Sequence, residues 1–168
     1  MKVLLLVPTV LLVLVLKSHK KWITLENIKE TLTARFWSQV FYATALSYIG
    51  FNILSSLTNG YHEATQDILV NVPIVYVYSI LISPLIEELI CRKLFFNWLD
   101  RRFGFIIAVA LSSLAFAIPH FNPSLMLGYL WLGVVWSWHY KKSGNILITI
   151  ISHAIYNYIA ILIMSMGG

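Results

Sequence analysis

Five stretches of this chain carry no Asp, Glu, Lys or Arg: 3–16, 36–62, 68–86, 103–140 and 143–168. A helix crossing the hydrocarbon of a bilayer takes about 20 apolar residues. The stretch 103–140 is therefore long enough for two crossings. Pro119-His120-Phe121-Asn122-Pro123 is its natural break, because proline has no N–H to donate and clashes with the preceding turn. The pattern predicts an all-α, polytopic membrane helix bundle of about six transmembrane spans, at 3–16, 36–57, 68–98, 103–118, 124–140 and 146–164. One integral membrane domain over 1–168 is the simplest organisation, with its polar motifs inside a core of about 68–165.

The first span is short. Lys2 ahead of an apolar run fits a signal peptide, but Lys17-Ser18-His19-Lys20-Lys21 follows instead of a small-residue cleavage site, which favours an uncleaved helix. Between the first two spans, Trp22, Leu25, Ile28, Leu32 and Phe36 recur at helical spacing. An amphipathic helix lying in the membrane interface is expected there. Basic residues follow the odd spans: Lys17, Lys20 and Lys21, then Arg101 and Arg102, then Lys141 and Lys142. Glu63 and Asp67 follow the second span, and no charge follows the fourth. The positive-inside rule then puts the basic loops in the cytoplasm and both termini outside, in a multi-pass protein of the cell membrane.

Composition agrees with this picture. Hydrophobic residues make up 59% of the chain and charged ones 11%, against about 45–50% and roughly 25% in soluble domains. A net charge of +5 could point to nucleic acid. The cations sit in loops on one predicted side, so topology and anionic lipid headgroups account for them and no nucleic-acid partner is expected. Trp22, Trp37, Trp98, Trp136 and Trp138 fall at span ends, as interfacial belts do. The stretch 129–140 is read as belt and lipid contact. The single Cys91 excludes an internal disulfide and has no nearby base in its own helix, so it is read as packing.

Against this apolar background a few polar residues stand out. Carboxylates at hydrocarbon depth cost about 2.5–3.5 kcal/mol on insertion scales, yet Glu87 and Glu88 adjoin in the third span. At about 1.5 Å per residue, Glu87 lies roughly 21 Å above Arg101, and His120 roughly 24 Å above Gly104. His153 and Asn157 lie roughly 12 and 18 Å above Asn145. Three helices thus contribute polar groups to one slab of the membrane, which is how helix bundles build sites. His153 and Asn157 are four residues apart and share a face. Glu88 and Arg92 have the same spacing, in the order that favours an ion pair. Glu88–Arg92 is accordingly read as structural and Glu87, about 100° away with no partner in its own helix, as the reactive carboxylate.

Glu87-Glu88-x-x-x-Arg92, Phe116-x-x-x-His120 and His153-x-x-x-Asn157, in that order, resemble the motifs of the CPBP intramembrane proteases. That family includes the type II CAAX prenyl endopeptidases and the bacteriocin-processing or bacteriocin-immunity (Abi) proteins. The resemblance covers about 80–157, with Phe116 as a packing position of the second motif. Lys93 departs from the glycine that many members have there. The resemblance implies a multi-helix membrane fold with a lipid-buried catalytic cavity, and hydrolysis of a peptide bond in a membrane-embedded or membrane-associated substrate. It also implies that Glu87 with His120 activates water while His153 with Asn157 stabilises the oxyanion.

The residue types suit that chemistry on their own. Amide hydrolysis needs an activated water, a proton donor for the leaving amine and donors to a tetrahedral oxyanion. Glu87, His120 and His153 could alternatively ligate Zn²⁺ with a position left for water. No HExxH is present, and the metal-free mechanism is preferred. Blander roles remain: a buried ion cluster for Glu87–Glu88–Arg92, a helix-end cap for His120, an interhelical hydrogen bond for His153–Asn157. The rivals to an enzyme are a non-catalytic membrane partner, such as a bacteriocin immunity protein or scaffold, and a proton-coupled transporter. The latter lacks support from inverted repeats or paired broken helices.

Overall fold

The computed structural model describes residues 23–58 and 73–166. The first predicted span, its basic loop, Trp22 and the loop after the second span lie outside the described residues. All regular structure among the described residues is helical.

Helix α1 is Leu25–Glu30 and α2 is Ala34–Ser56. The apolar stripe from 22 to 36 was expected to form one amphipathic helix, and two caps divide it instead. The Thr24 hydroxyl accepts from the Asn27 N–H while the Asn27 side chain accepts from the Thr24 N–H, a reciprocal box that starts α1. The Thr33 hydroxyl then accepts from the Phe36 N–H and starts α2. Leu25, Ile28 and Leu32 are left exposed, whereas Phe36 belongs to α2 and is buried.

The run α3, residues 73–103, is one continuous rod with two wider-wound π segments, Tyr78–Ile82 and Leu89–Phe96. Gly104, at φ 81°, turns the chain into α4, Phe105–Ala117, which tightens into a 3₁₀ turn over Ile118–His120. A second 3₁₀ turn, Pro123–Leu125, leads into α5, Met126–Ser143. Gly144, at φ 70°, closes the turn to α6, Ile146–Met166. Both positive-φ turns suit glycine, which has no Cβ to clash. They lie at the same end of the bundle: Lys141 Nζ is 2.6 Å from Asp100 Oδ2, joining the α5–α6 turn to the end of α3.

Helix α6 is long and apolar enough to cross a bilayer, and Phe105–His120 is a shorter apolar helix. Large apolar side chains such as Phe41, Ile49, Ile53, Ile106, Ile107 and Leu162 face outward. Small residues let the helices approach closely. A Cβ added to Gly133 on α5 would stand 2.6 Å from the Ser113 Cα on α4. Beside that contact, the Ser112 and Ser137 hydroxyls are 3.2 Å apart. Gly133→Ala should force these backbones apart and cost about 1–3 kcal/mol, the usual penalty of overpacking. Thermal unfolding in detergent checks this, and an unchanged midpoint would contradict it.

Belt and core are divided differently from the expectation. Trp37, Trp98 and Trp138 are half-exposed, as belt residues should be, but Trp136 is fully buried. Cys91 is buried against Phe116, Leu132, Val135 and Trp136, a packing position as expected.

Candidate active site

The site is assembled on Glu88. This carboxylate is fully buried, and its Oε2 lies 3.2 Å from the equally buried Arg92 Nε, one turn further along α3. The guanidinium is enclosed on its faces, with Cζ 4.9 Å from the Phe116 ring centroid and 5.8 Å from that of Trp136. Its Nη2 reaches the Gly133 carbonyl at 3.4 Å, so the glycine that lets α4 and α5 meet also presents an acceptor to the arginine. The predicted ion pair is present. It does not stand apart from the predicted catalytic residues, because Glu88 Oε1 is 3.2 Å from His153 Nδ1. A carboxylate held ionised by arginine can only accept, so His153 Nδ1 carries the proton and Nε2 is the ring atom that faces the site.

His153 is buried and further held by aromatic rings. Its imidazole stacks on Trp136 at 4.0 Å with 22° between planes, and Phe116 meets it edge-on at 5.7 Å. The Trp136 indole N–H donates to Ser152 Oγ at 3.1 Å, and Ser152 also accepts from Thr44 on α2. Three helices therefore fix the plane of one imidazole. The sequence pattern assigns Trp136 to the interfacial belt, and the structure buries it in the core instead. The two readings share the same residue type, and only the face it occupies separates them.

Glu87 Oε2 lies 3.9 Å from His153 Nε2, and its side chain keeps 32% exposure. That gap exceeds a hydrogen bond, and Oε2 itself is buried without a hydrogen-bond partner among the described residues. Glu87 does have a partner in its own helix, contrary to the expectation: the Ser83 hydroxyl, four residues earlier, donates to Glu87 Oε1. The i,i+4 spacing was visible in the sequence.

His120 ends the α4 rod. Its Nδ1 is 2.9 Å from the Phe116 carbonyl, one turn back, so Nδ1 donates and Nε2 is left as acceptor. Its ring stacks on Tyr129 at 3.9 Å and leans on Phe116 at 5.0 Å. It is within electrostatic reach of Glu87 and His153. Phe116 thus touches both histidines and Arg92, more than a packing position. Phe121, in the left-handed region at φ 49°, then carries the chain out of the site.

Asn157 is placed less simply. Its amide Nδ2 donates to the Ser79 carbonyl at 2.8 Å, inside the first π segment of α3. One amide hydrogen is thereby committed to that backbone oxygen. Zinc ligation by Glu87, His120 and His153 is the alternative that the residue types leave open. Among the described residues no group of three or more His, Cys, Asp or Glu side chains is arranged to hold a metal ion. Lys93, at the position where glycine was expected, points its ammonium at Tyr140, 6.0 Å from the ring centroid.

The chain is similar to known proteins over this part of its length. The family model described as type II CAAX prenyl endopeptidase Rce1-like matches residues 69–159. The chain is 29% identical over 115 residues to a Bacillus subtilis (strain 168) protein named "Putative membrane peptidase YdiL", covering 68% of this chain and 46% of that protein. It is 34% identical over 92 residues to the Staphylococcus aureus (strain USA300) "Membrane-embedded CAAX protease MroQ", covering 51% of this chain and 37% of that one. The matches thus span less than half the length of these curated relatives. No solved structure matches significantly. The matched segment takes in the whole glutamate-bearing rod and ends two residues past Asn157, so it contains Glu87, Glu88, Arg92, Phe116, His120, Trp136, His153 and Asn157, and the chain belongs to the Rce1-like type II CAAX prenyl endopeptidase family.

Proposed function

We propose that this protein is an intramembrane endopeptidase that hydrolyses a peptide bond of a membrane-associated peptide or protein with an activated water. The observation that carries it is the pairing of a partly exposed carboxylate with a clamped imidazole: Glu87 Oε2 stands 3.9 Å from His153 Nε2, while Glu88 holds the far side of that ring. A structural ion cluster would close both carboxylates on cations. Here Glu88 is closed on Arg92, while Glu87 Oε2 is held by no cation within hydrogen-bond reach.

In the proposed reaction a water sits against Glu87 and His120. Glu87 takes its proton as the oxygen attacks the scissile carbonyl, and His120 Nε2 orients it. In this reaction His153, flanked by Glu88 at Nδ1 and Glu87 at Nε2, carries a proton on each ring nitrogen, so the developing oxyanion is met by its Nε2–H and by the second amide hydrogen of Asn157. Donors placed where charge develops are worth most in a site with little water. Glu87 then returns its proton to the leaving amine. The helices are proposed to form about six spans with the basic turns, including the Lys141–Asp100 end, in the cytoplasm and the termini outside.

No step here passes through a metal. Chain reconstituted in liposomes should cleave a quenched-fluorescence probe, either a farnesylated C-a-a-X peptide or an unprenylated apolar peptide of about 20 residues. Cleavage should continue at an undiminished rate in a strong chelator. Loss of activity on stripping, with recovery on adding zinc, would replace this mechanism with a metal-dependent one. Tight binding of a probe with no hydrolysis of either would favour a non-catalytic membrane partner.

A further inference from the structure

The first π segment of α3 has a specific cause. The Ser83 N–H donates to the Tyr78 carbonyl, five residues back rather than four. That leaves the Ser79 carbonyl without the donor an α-helix would supply. In the wider winding its donor would be residue 84, which is proline and has no N–H. An orphaned carbonyl at this depth must find another partner, and it finds the Asn157 amide on α6 at 2.8 Å. The extra residue in the turn changes which way the next helical turn faces, since π-bulges alter the rotation of the rod at functional positions. Ser83 is the first residue of that turn, and its hydroxyl meets Glu87 Oε1. With Oε1 occupied, Oε2 is the oxygen presented to His153 Nε2.

We propose that Ser83 is a positioning residue for Glu87, placed by the π turn that Pro84 creates and Asn157 pins, so that one carboxylate oxygen is tethered and the other is aimed at the reacting centre. This rests on the protease reading, because it assigns Glu87 a direction that only a reaction needs. An untethered carboxylate would rotate freely about its terminal torsion, which is broad and has no sharp wells. Tethering removes that freedom before substrate arrives, and small misplacements of reacting groups are costly in rate.

The experiment uses full-length chain in liposomes with the two quenched-fluorescence probes. Ser83→Ala should lower kcat by on the order of 10–100-fold with KM nearly unchanged. Ser83→Thr keeps the hydroxyl and should restore most of the turnover. A second measurement needs no substrate. The Glu87 carboxylate stretch, located as the infrared difference between wild type and Glu87→Gln, should shift in Ser83→Ala and return in Ser83→Thr. Wild-type turnover in Ser83→Ala beside an inactive Glu87→Gln, or an unmoved carboxylate band, overturns the proposal and leaves the protease reading standing. Wild-type chain that hydrolyses neither probe overturns both.

Discussion

Glu87→Gln should lower turnover by about 10²–10⁴, the usual contribution of a positioned general base, while the affinity for a bound peptide stays close to that of the wild type. The substitution is conservative in shape. The glutamine carbonyl oxygen can still accept from Ser83, so the tether survives. What is lost is the ability to take a proton from water. An interaction used only in the transition state affects kcat and leaves binding nearly unchanged. Steady-state kinetics on both probes, with a direct measurement of peptide binding, separates the two effects. A Glu87→Gln chain that cleaves at the wild-type rate would move the base elsewhere. One that loses peptide binding in step with activity would make Glu87 part of a recognition surface.

The sequence made most of the helix ends legible because they depend on local chemistry. Gly104 and Gly144 stop α3 and α5 where the charge pattern predicted turns, and the 119–123 segment breaks α4 from α5 at two prolines. The three polar motifs were legible for a different reason. Polar groups are so costly in an apolar span that their presence marks a contact.

Facing was less legible. Trp136 and Trp138 lie two residues apart and so point to nearly opposite sides of α5. Periodicity says that they differ but not which of them faces the core. Gly128, Gly133 and Ser137 line the buried face of α5, and that stripe of small residues was the missed signal. The offset in α3 was out of reach of any count at 100° per residue, because it depends on the missing N–H of Pro84 being met by a side chain of another helix. The division of α1 from α2 lay in hydroxyl caps at Thr24 and Thr33, which a hydrophobic stripe running through both conceals.

Arg92→Ala should be the most destabilising single change in the site. Arg92 and Glu88 are both fully buried, and the guanidinium also serves the Gly133 carbonyl and the Phe116 and Trp136 rings. Removing it strands the Glu88 carboxylate without its cation, with His153 and the Thr149 hydroxyl beside it. Breaking a buried pair from one side costs about 3–5 kcal/mol in soluble cores, a large share of the roughly 5–15 kcal/mol by which domains are stable. The expected result is poor accumulation and a lowered unfolding midpoint in detergent. Arg92→Lys should rescue little, since a point charge cannot replace a planar fork between two rings. Removing both charges together, as Glu88→Gln with Arg92→Met, should recover much of the stability, because neutral replacements of similar volume are often tolerated at such pairs. That double variant should still turn over slowly, because His153 Nδ1 then faces an amide instead of a carboxylate and the ring loses its fixed proton. A folded, slow double variant would place Glu88–Arg92 in the orientation of His153 as well as in the fold. Normal accumulation of Arg92→Ala, with an unchanged midpoint, would show that the buried pair carries neither role.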